Sequence, residues 1–192
     1  MALDHPPART HGFRLAAANL GHVPLFCLAL LTASCALASF ALACATPFAA
    51  FAVVAAAMQR LGSALLVVAG AWLVNQAIGF GALHYPIDGK TILWGLVIGA
   101  ATFVATLVAA LALRMQRQRQ MPLALAFALV CAYGGYEVTI FAATPFLGGA
   151  GSFTTAIIAR LGLLNATWLL GLVAFSQIIP LLNSVRQRYA TS

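Results

Sequence analysis

Of the three carboxylates in the chain, Asp4, Asp88 and Glu137, only Glu137 stands inside a long apolar run. An acid in that setting must be protonated, paired with a cation or wetted by a cavity, because an isolated charge is costly in hydrocarbon. Glu137 is therefore the first candidate for chemistry, as a proton- or cation-linked group. The other polar groups set among apolar residues are the adjacent carboxamides Asn75 and Gln76, the arginines Arg60 and Arg160, and, in the last apolar run, Asn165 and Gln177. Glu137, Asn75, Gln76, Arg60, Arg160 and Gln177 are read together as a substrate or ion site, in which the arginines hold an anionic group or pair with Glu137. The competing reading of the carboxamides is that they bond across to neighbouring helices and serve packing.

Enzymatic chemistry finds little support in these residues. No second carboxylate lies near Glu137 in sequence, no Ser–His or Cys–His pair marks a nucleophile, and no glycine-rich loop is followed by a phosphate-binding lysine. Cys27, Cys35, Cys44 and Cys131 lie in apolar segments without CxxC spacing, so they read as free buried thiols. His5, His11 and His22 fall in a polar tail, and with His84 they show no metal-ligand spacing. No metal is expected, and the sequence names no cofactor.

The elements that must position these groups are membrane helices. The 192 residues are 63% hydrophobic and 7% charged, with a mean hydropathy of +0.99. Too few polar groups remain to cover a water-facing surface, so lipid is the expected solvent. The net charge of +7 is carried at the borders of apolar runs. Anchoring in the bilayer explains that placement better than nucleic acid, which is not an expected partner.

In chain order, a polar tail over 1–22 precedes an apolar run over 23–45. That pair resembles a signal peptide, but the run is longer than a signal core and is read as a retained first span. Thr46-Pro47 then signals a helix start, with Thr46 capping an orphan amide and Pro47 at the first helical position. The stretch 47–83 is too long for one span and too short for two. A cut at Gln59-Arg60 yields a short half-helix over 47–58 and a full span over 61–83; one long tilted helix from 47 to about 74 is the alternative. Pro86 to Gly89 reads as a turn, with Thr91 capping the next helix. The span at 92–113 carries Gly95, Gly99, Thr102 and Thr106 on nearly one face, a helix-contact stripe whose partner is either internal or a second subunit. A fourth span at 122–143 holds Glu137, and a fifth runs from about 152 to 179.

Thr46-Pro47-Phe48 returns as Thr144-Pro145-Phe146, an offset of 98, and Pro-Leu stands 22 residues before each Thr. This is read as an internal duplication, with copies at about 24–83 and 122–180 joined by the span at 92–113. The fold class is then an all-α polytopic bundle of about five full spans plus two Thr-Pro-Phe-initiated half-helices. The copies are inverted, in a domain over 23–183 followed by a basic tail over 184–192. Five spans put the termini on opposite sides. Arg114, Arg117, Arg119, Arg186 and Arg188 outnumber Arg9, Arg14 and Lys90, so the sequence predicts a cytoplasmic C-terminus and an outer N-terminus in an inner membrane.

In general plan this resembles inverted-repeat channels and transporters whose broken helices meet around a central site, including aquaporin-like proteins. Size and hydropathy are also similar to the substrate-binding membrane subunits of energy-coupling-factor vitamin importers. The Asn-Pro-Ala motif of aquaporins is missing, one span per pair is missing, and no motif of either group fixes a residue here. The leading functional expectation is a small transporter or channel-like protein with a polar site between two repeats. A non-catalytic subunit of a larger membrane complex, or of a homo-oligomer joined through the Gly95/Gly99 face, is the alternative.

Overall fold

The computed structural model describes residues 23–42, 45–116 and 118–190, with side chains over 25–40, 45–116, 118–151 and 153–176; the tail at 1–22 lies outside the described residues. All regular structure among the described residues is helical. The elements are α1 (Val23–Leu42), α2 (Phe48–Met58), α3 (Leu61–Ala77, prolonged by a π-turn at Ile78–Ala82), α4 (Gly89–Met115), α5 (Met121–Leu147) and α6 (Thr155–Ala190). Among the described residues, four helices are long and apolar enough to cross a membrane: α3 with its π-turn, α4, α5, and α6 as far as Ser176.

The bundle is built around α2. Its sequence, Phe-Ala-Ala-Phe-Ala-Val-Val-Ala-Ala-Ala-Met, has no polar face, and ten of its eleven residues are buried. A helix that is apolar all round must be enclosed, and α2 touches every one of the other five helices. Its alanines let those neighbours approach closely. Gln59 and Arg60 are both extended and separate α2 from α3. The break falls at the predicted cut, so the single long tilted helix does not form.

Helix directions follow from contacts at constant offset. Cys35 Sγ donates to Ala71 O at 3.1 Å, and Asn75 Nδ2 donates to Ser39 Oγ at 2.9 Å. Both partners advance by four, so α1 and α3 run the same way. Between them α2 runs back, with Thr46 at the Asn75 end and Gln59 beside Cys27. The antiparallel order continues through α4, where Gly95 meets Gln76 and Gly99 meets Trp72, and through α5, where Gly149 meets Trp94. Phe141 against Phe153 and Tyr133 against Ile158 set α6 antiparallel to α5.

Six helices thus alternate in direction, and the start of α1 and the end of α6 share one end of the bundle. The half-helix expected over 47–58 is present as α2, and it reverses the chain direction between α1 and α3. Helix α6 continues through 184–190 of the basic stretch to Ala190.

The second Thr-Pro-Phe starts no half-helix. Pro145 lies in the last turn of α5, and the Phe141 carbonyl that a residue with an N–H would have engaged accepts from Thr144 Oγ1 at 2.8 Å instead. Gly148 (φ 80°) and Gly149 (φ 93°) then end the helix in backbone conformations that residues with a Cβ rarely adopt. Phe48 is 2% exposed and Phe146 87% exposed, so the two motifs meet opposite environments. The proposed copies differ in helix number as well, three against two.

The Gly95/Gly99 face is occupied within the chain. The Trp72 indole packs over Gly99, 2.8 Å from where a Cβ would stand, and Trp72 Nε1 donates to Gly95 O at 2.9 Å. Thr102 and Thr106 are buried farther along α4 and return their hydroxyls to the helix backbone, at Ile98 O and Thr102 O. The internal partner anticipated as one option is therefore α3. At the start of α4 it is Asp88, not Thr91, that caps: its side chain accepts from Thr91 N at 2.7 Å.

Two predictions follow from these contacts. Gly99→Val forces the Trp72 indole or the α3 backbone to move and is expected to cost about 1–3 kcal/mol, read as a lower melting temperature in detergent. Gly62→Ala, with open space around it, leaves melting unchanged. The Thr91 amide holds the Asp88 carboxyl below its ordinary value. The cap therefore adds stability above the unfolded carboxyl's pKa and loses it as pH falls through the lowered folded value. Melting between pH 6 and pH 2 should show a pH-dependent component that Asp88→Asn, a pH-independent cap, removes.

Candidate functional site

The site begins at the N-terminus of α2, where the first turn of any helix leaves amides without intrahelical partners. Thr46 was expected to satisfy one of them and does not. Instead Asn165, buried on α6, accepts from Ala50 N through Oδ1 at 3.1 Å and donates from Nδ2 to Leu161 O at 2.9 Å. The cap is thus supplied in trans, from a residue 115 positions away. Thr46 turns its hydroxyl to α3, where Asn75 Nδ2 donates to it at 2.9 Å as well as to Ser39. Asn75 therefore ties α1, the α2 approach and α3 together, which is the packing role anticipated for the carboxamides.

Beside this junction lies a cavity of about 350 Å³. Thr46, Asn165, Trp94, Tyr133, Tyr136 and Glu137 contribute to its wall, and Gly149 and Phe153 of the α5–α6 connection line it at the bundle end. Glu137 stands ten residues before the end of α5, about 15 Å along a helix at ~1.5 Å per residue. Asn165 stands equally far from the start of α6. The cavity therefore runs from a loop inward to about half the thickness of a bilayer core.

Glu137 is half-buried, with the Tyr133 side chain one turn away as its polar neighbour. Tyr133 is itself anchored, its hydroxyl donating to Ile158 O at 2.7 Å. The Tyr136 ring lies 6.4 Å from Phe48, and Phe153 packs edge-on against Phe141 at 5.1 Å. These rings are held by partners outside the cavity, so the wall is fixed before anything enters it.

A second, smaller cavity of about 120 Å³ takes in Asn75 and Gln76, with Tyr85 and Thr91. Trp94 and Ile98 belong to both cavities and stand between them. The six residues read from sequence are thus divided. Glu137 lines the larger cavity, and Asn75 and Gln76 the smaller, Gln76 donating to Asn75 Oδ1 at 3.4 Å. Arg60 is exposed at the α2–α3 break and Arg160 is exposed near the start of α6, at the opposite end of the bundle. Neither lines either cavity. The side chain of Gln177 lies outside those described.

Trp94, Tyr133, Tyr136 and Phe153 meet as a wall only in the folded chain. Because α4 begins at Gly89, the Trp94 indole stands more than one turn inside the helix. Tyr133 stands at i−4 from Glu137, the one local signal that it shares its surroundings, whereas the i−1 spacing of Tyr136 gives none. Asn165 was visible only as a polar residue in an apolar run.

Gln59 holds a further buried polar group at the other end of α2. Its carboxamide has no nitrogen or oxygen partner, and the Cys27 thiol, a weak hydrogen-bonding group, is its polar neighbour. A groove of about 630 Å³ between α1 and α6 is larger than either cavity, and among the described residues no charged side chain lines it. Comparisons with family models, curated proteins and solved structures found nothing that matches this chain. Function therefore rests on the fold and these cavities alone.

The trans cap gives a direct test. Asn165→Leu leaves the Ala50 amide buried without an acceptor and is expected to cost about 1–3 kcal/mol. Asn165→Asp retains an acceptor and should recover more of the melting temperature than Asn165→Leu.

Proposed function

We propose that this chain is a small integral membrane transporter or channel-like protein, and that Glu137 is the group its solute or coupling ion meets. One observation carries the reading: a cavity of about 350 Å³ enters a bundle of membrane-length apolar helices and contains the single acid of those helices in its wall. A carboxyl at that depth is stable when protonated, paired or hydrated. Among the described residues no cation pairs with Glu137, which leaves a proton, water or an entering cation to meet its charge. Exchange among these occupants is the basis of a proton- or cation-linked step. The chemistry is binding and release, without bond-making on the solute.

The smaller cavity around Asn75 and Gln76 supports the same reading. Trp94 and Ile98 separate it from the larger one, so movement of these two side chains would join the two into one polar path. The second reading, a subunit within a larger membrane complex, is supported by the apolar groove between α1 and α6. Such a groove admits a lipid tail or a neighbouring transmembrane helix.

Thiol labelling separates the two readings. Single cysteines at Ile140 and Leu161, in the cavity wall, and at Val138, exposed on the outer surface, are placed in a cysteine-free chain in intact membranes. Small water-borne methanethiosulfonates are expected to modify the two wall positions about as readily as a loop control at Gly151. Val138 should react at least ten times more slowly, since these reagents need an aqueous thiolate. Silence at both wall positions with a reactive loop control would mean a dry interior and would favour the complex-subunit reading.

A further inference from the structure

The chemistry of the Glu137 cavity points to a class of occupant. This inference rests on the reading of the cavity as a solute site. Among the described residues, the only charged group in the wall is Glu137. An anion brought there would face the carboxylate, and a neutral solute would leave the group protonated, whereas a cation can take the place of the proton and match the ionised form. Charge complementarity selects a cation.

The wall also decides which kind of cation. A hard metal ion requires several oxygen ligands to replace its water, and those near Glu137 are already engaged. Asn165 has its oxygen on Ala50 N and its amide nitrogen on Leu161 O. Thr46 accepts from Asn75. Among the described residues no cluster of three or more His, Cys, Asp or Glu is placed to hold a metal.

What the wall offers in place of oxygens is aromatic surface: Trp94, Tyr133, Tyr136 and Phe153. Ring faces attract cations through their quadrupoles, and they cover apolar substituents that a metal ion lacks. The volume, about 350 Å³, is at the lower end of the range for small-molecule sites. Lys90, at the same end of the bundle, places Nζ near the Gly148 turn, where the carbonyl end of α5 favours a positive charge, and is not part of the wall.

We propose that the Glu137 cavity binds a small organic cation, a quaternary ammonium or protonated amine with an apolar body, held by the Glu137 carboxylate and the surrounding aromatic rings. Neighbouring helices supply the selectivity in separate parts. The charge comes from α5, and the rings come from α4, α5 and the α5–α6 connection.

Isothermal titration of the detergent-solubilised full chain tests this, with benzyltrimethylammonium as the cationic probe and benzoate and benzyl alcohol as anionic and neutral probes of similar shape. Saturable binding is expected for the cation alone. Glu137→Gln should abolish it, with Glu137→Asp as a second variant if the first melts abnormally. Tyr136→Phe keeps the ring and should bind within about twofold of the parent, whereas Tyr136→Leu should bind about tenfold more weakly.

Equal binding of benzyl alcohol or benzoate, or cation binding untouched in Glu137→Gln, overturns the proposal. Labelling at Leu161→Cys keeps its failure distinct from that of the transport reading. A reactive wall with no cation binding removes the organic cation and leaves the solute cavity standing. An unreactive wall with no binding removes both.

Discussion

The structure depends on one backbone constraint, the start of α2 inside the bundle. A helix that begins away from water exposes amides that only protein groups can satisfy, and in hydrocarbon each unsatisfied one costs several kcal/mol (~2–7). The chain meets this with a carboxamide from a distant segment, and a second carboxamide fixes the approach to the helix. Asn165 takes the Ala50 amide, and Asn75 fixes Thr46 and Ser39 where α1 turns into α2. These bonds join α1, α2, α3 and α6. They also explain why polar residues persist in runs that are otherwise apolar.

The same junction creates the cavity. Because α2 is short, it does not fill the space between α4, α5 and α6 as far as the α5–α6 connection. Thr46 and Asn165 therefore form part of the wall of the unfilled volume, with Glu137 and the aromatic rings around them. Stability and function draw on one set of residues here. Asn165 in particular is committed to the backbone through both ends of its amide, so it shapes the cavity and leaves the charge there to Glu137.

Packing elsewhere is set by small residues. Gly95 and Gly99 receive the Gln76 and Trp72 side chains, and Ala101, Ala105 and Ala109 are fully buried along α4. Such contacts rely on van der Waals fit, since lipid supplies no hydrophobic drive between helices. The close approach of α3 to α4 holds Trp72 in place, and Trp94 lies farther toward the α4 N-terminus, where it separates the two cavities. A stripe read from sequence as a contact face thus supports the site from behind.

Composition and hydropathy determined the all-helical class, because a chain with so few polar groups has to satisfy its backbone within helices. The break at Gln59-Arg60 was legible for a similar reason: 47–83 fits neither one span nor two. Glu137 was legible as the one acid inside an apolar run. Only the tertiary structure decided the direction of α1 against α3, since hydropathy gives the length of a run and not the side to which it returns. It also decided the fate of the two Thr-Pro-Phe motifs, which are identical as triplets but are followed by a buried alanine helix in one case and by helix-ending glycines in the other. The arginines were grouped with Glu137 because all were polar residues in apolar surroundings, yet their positions at opposite ends of the bundle separate them. The aromatic wall arises from residues on α4, α5 and the α5–α6 connection, and no local spacing shows which side chains from separate helices meet.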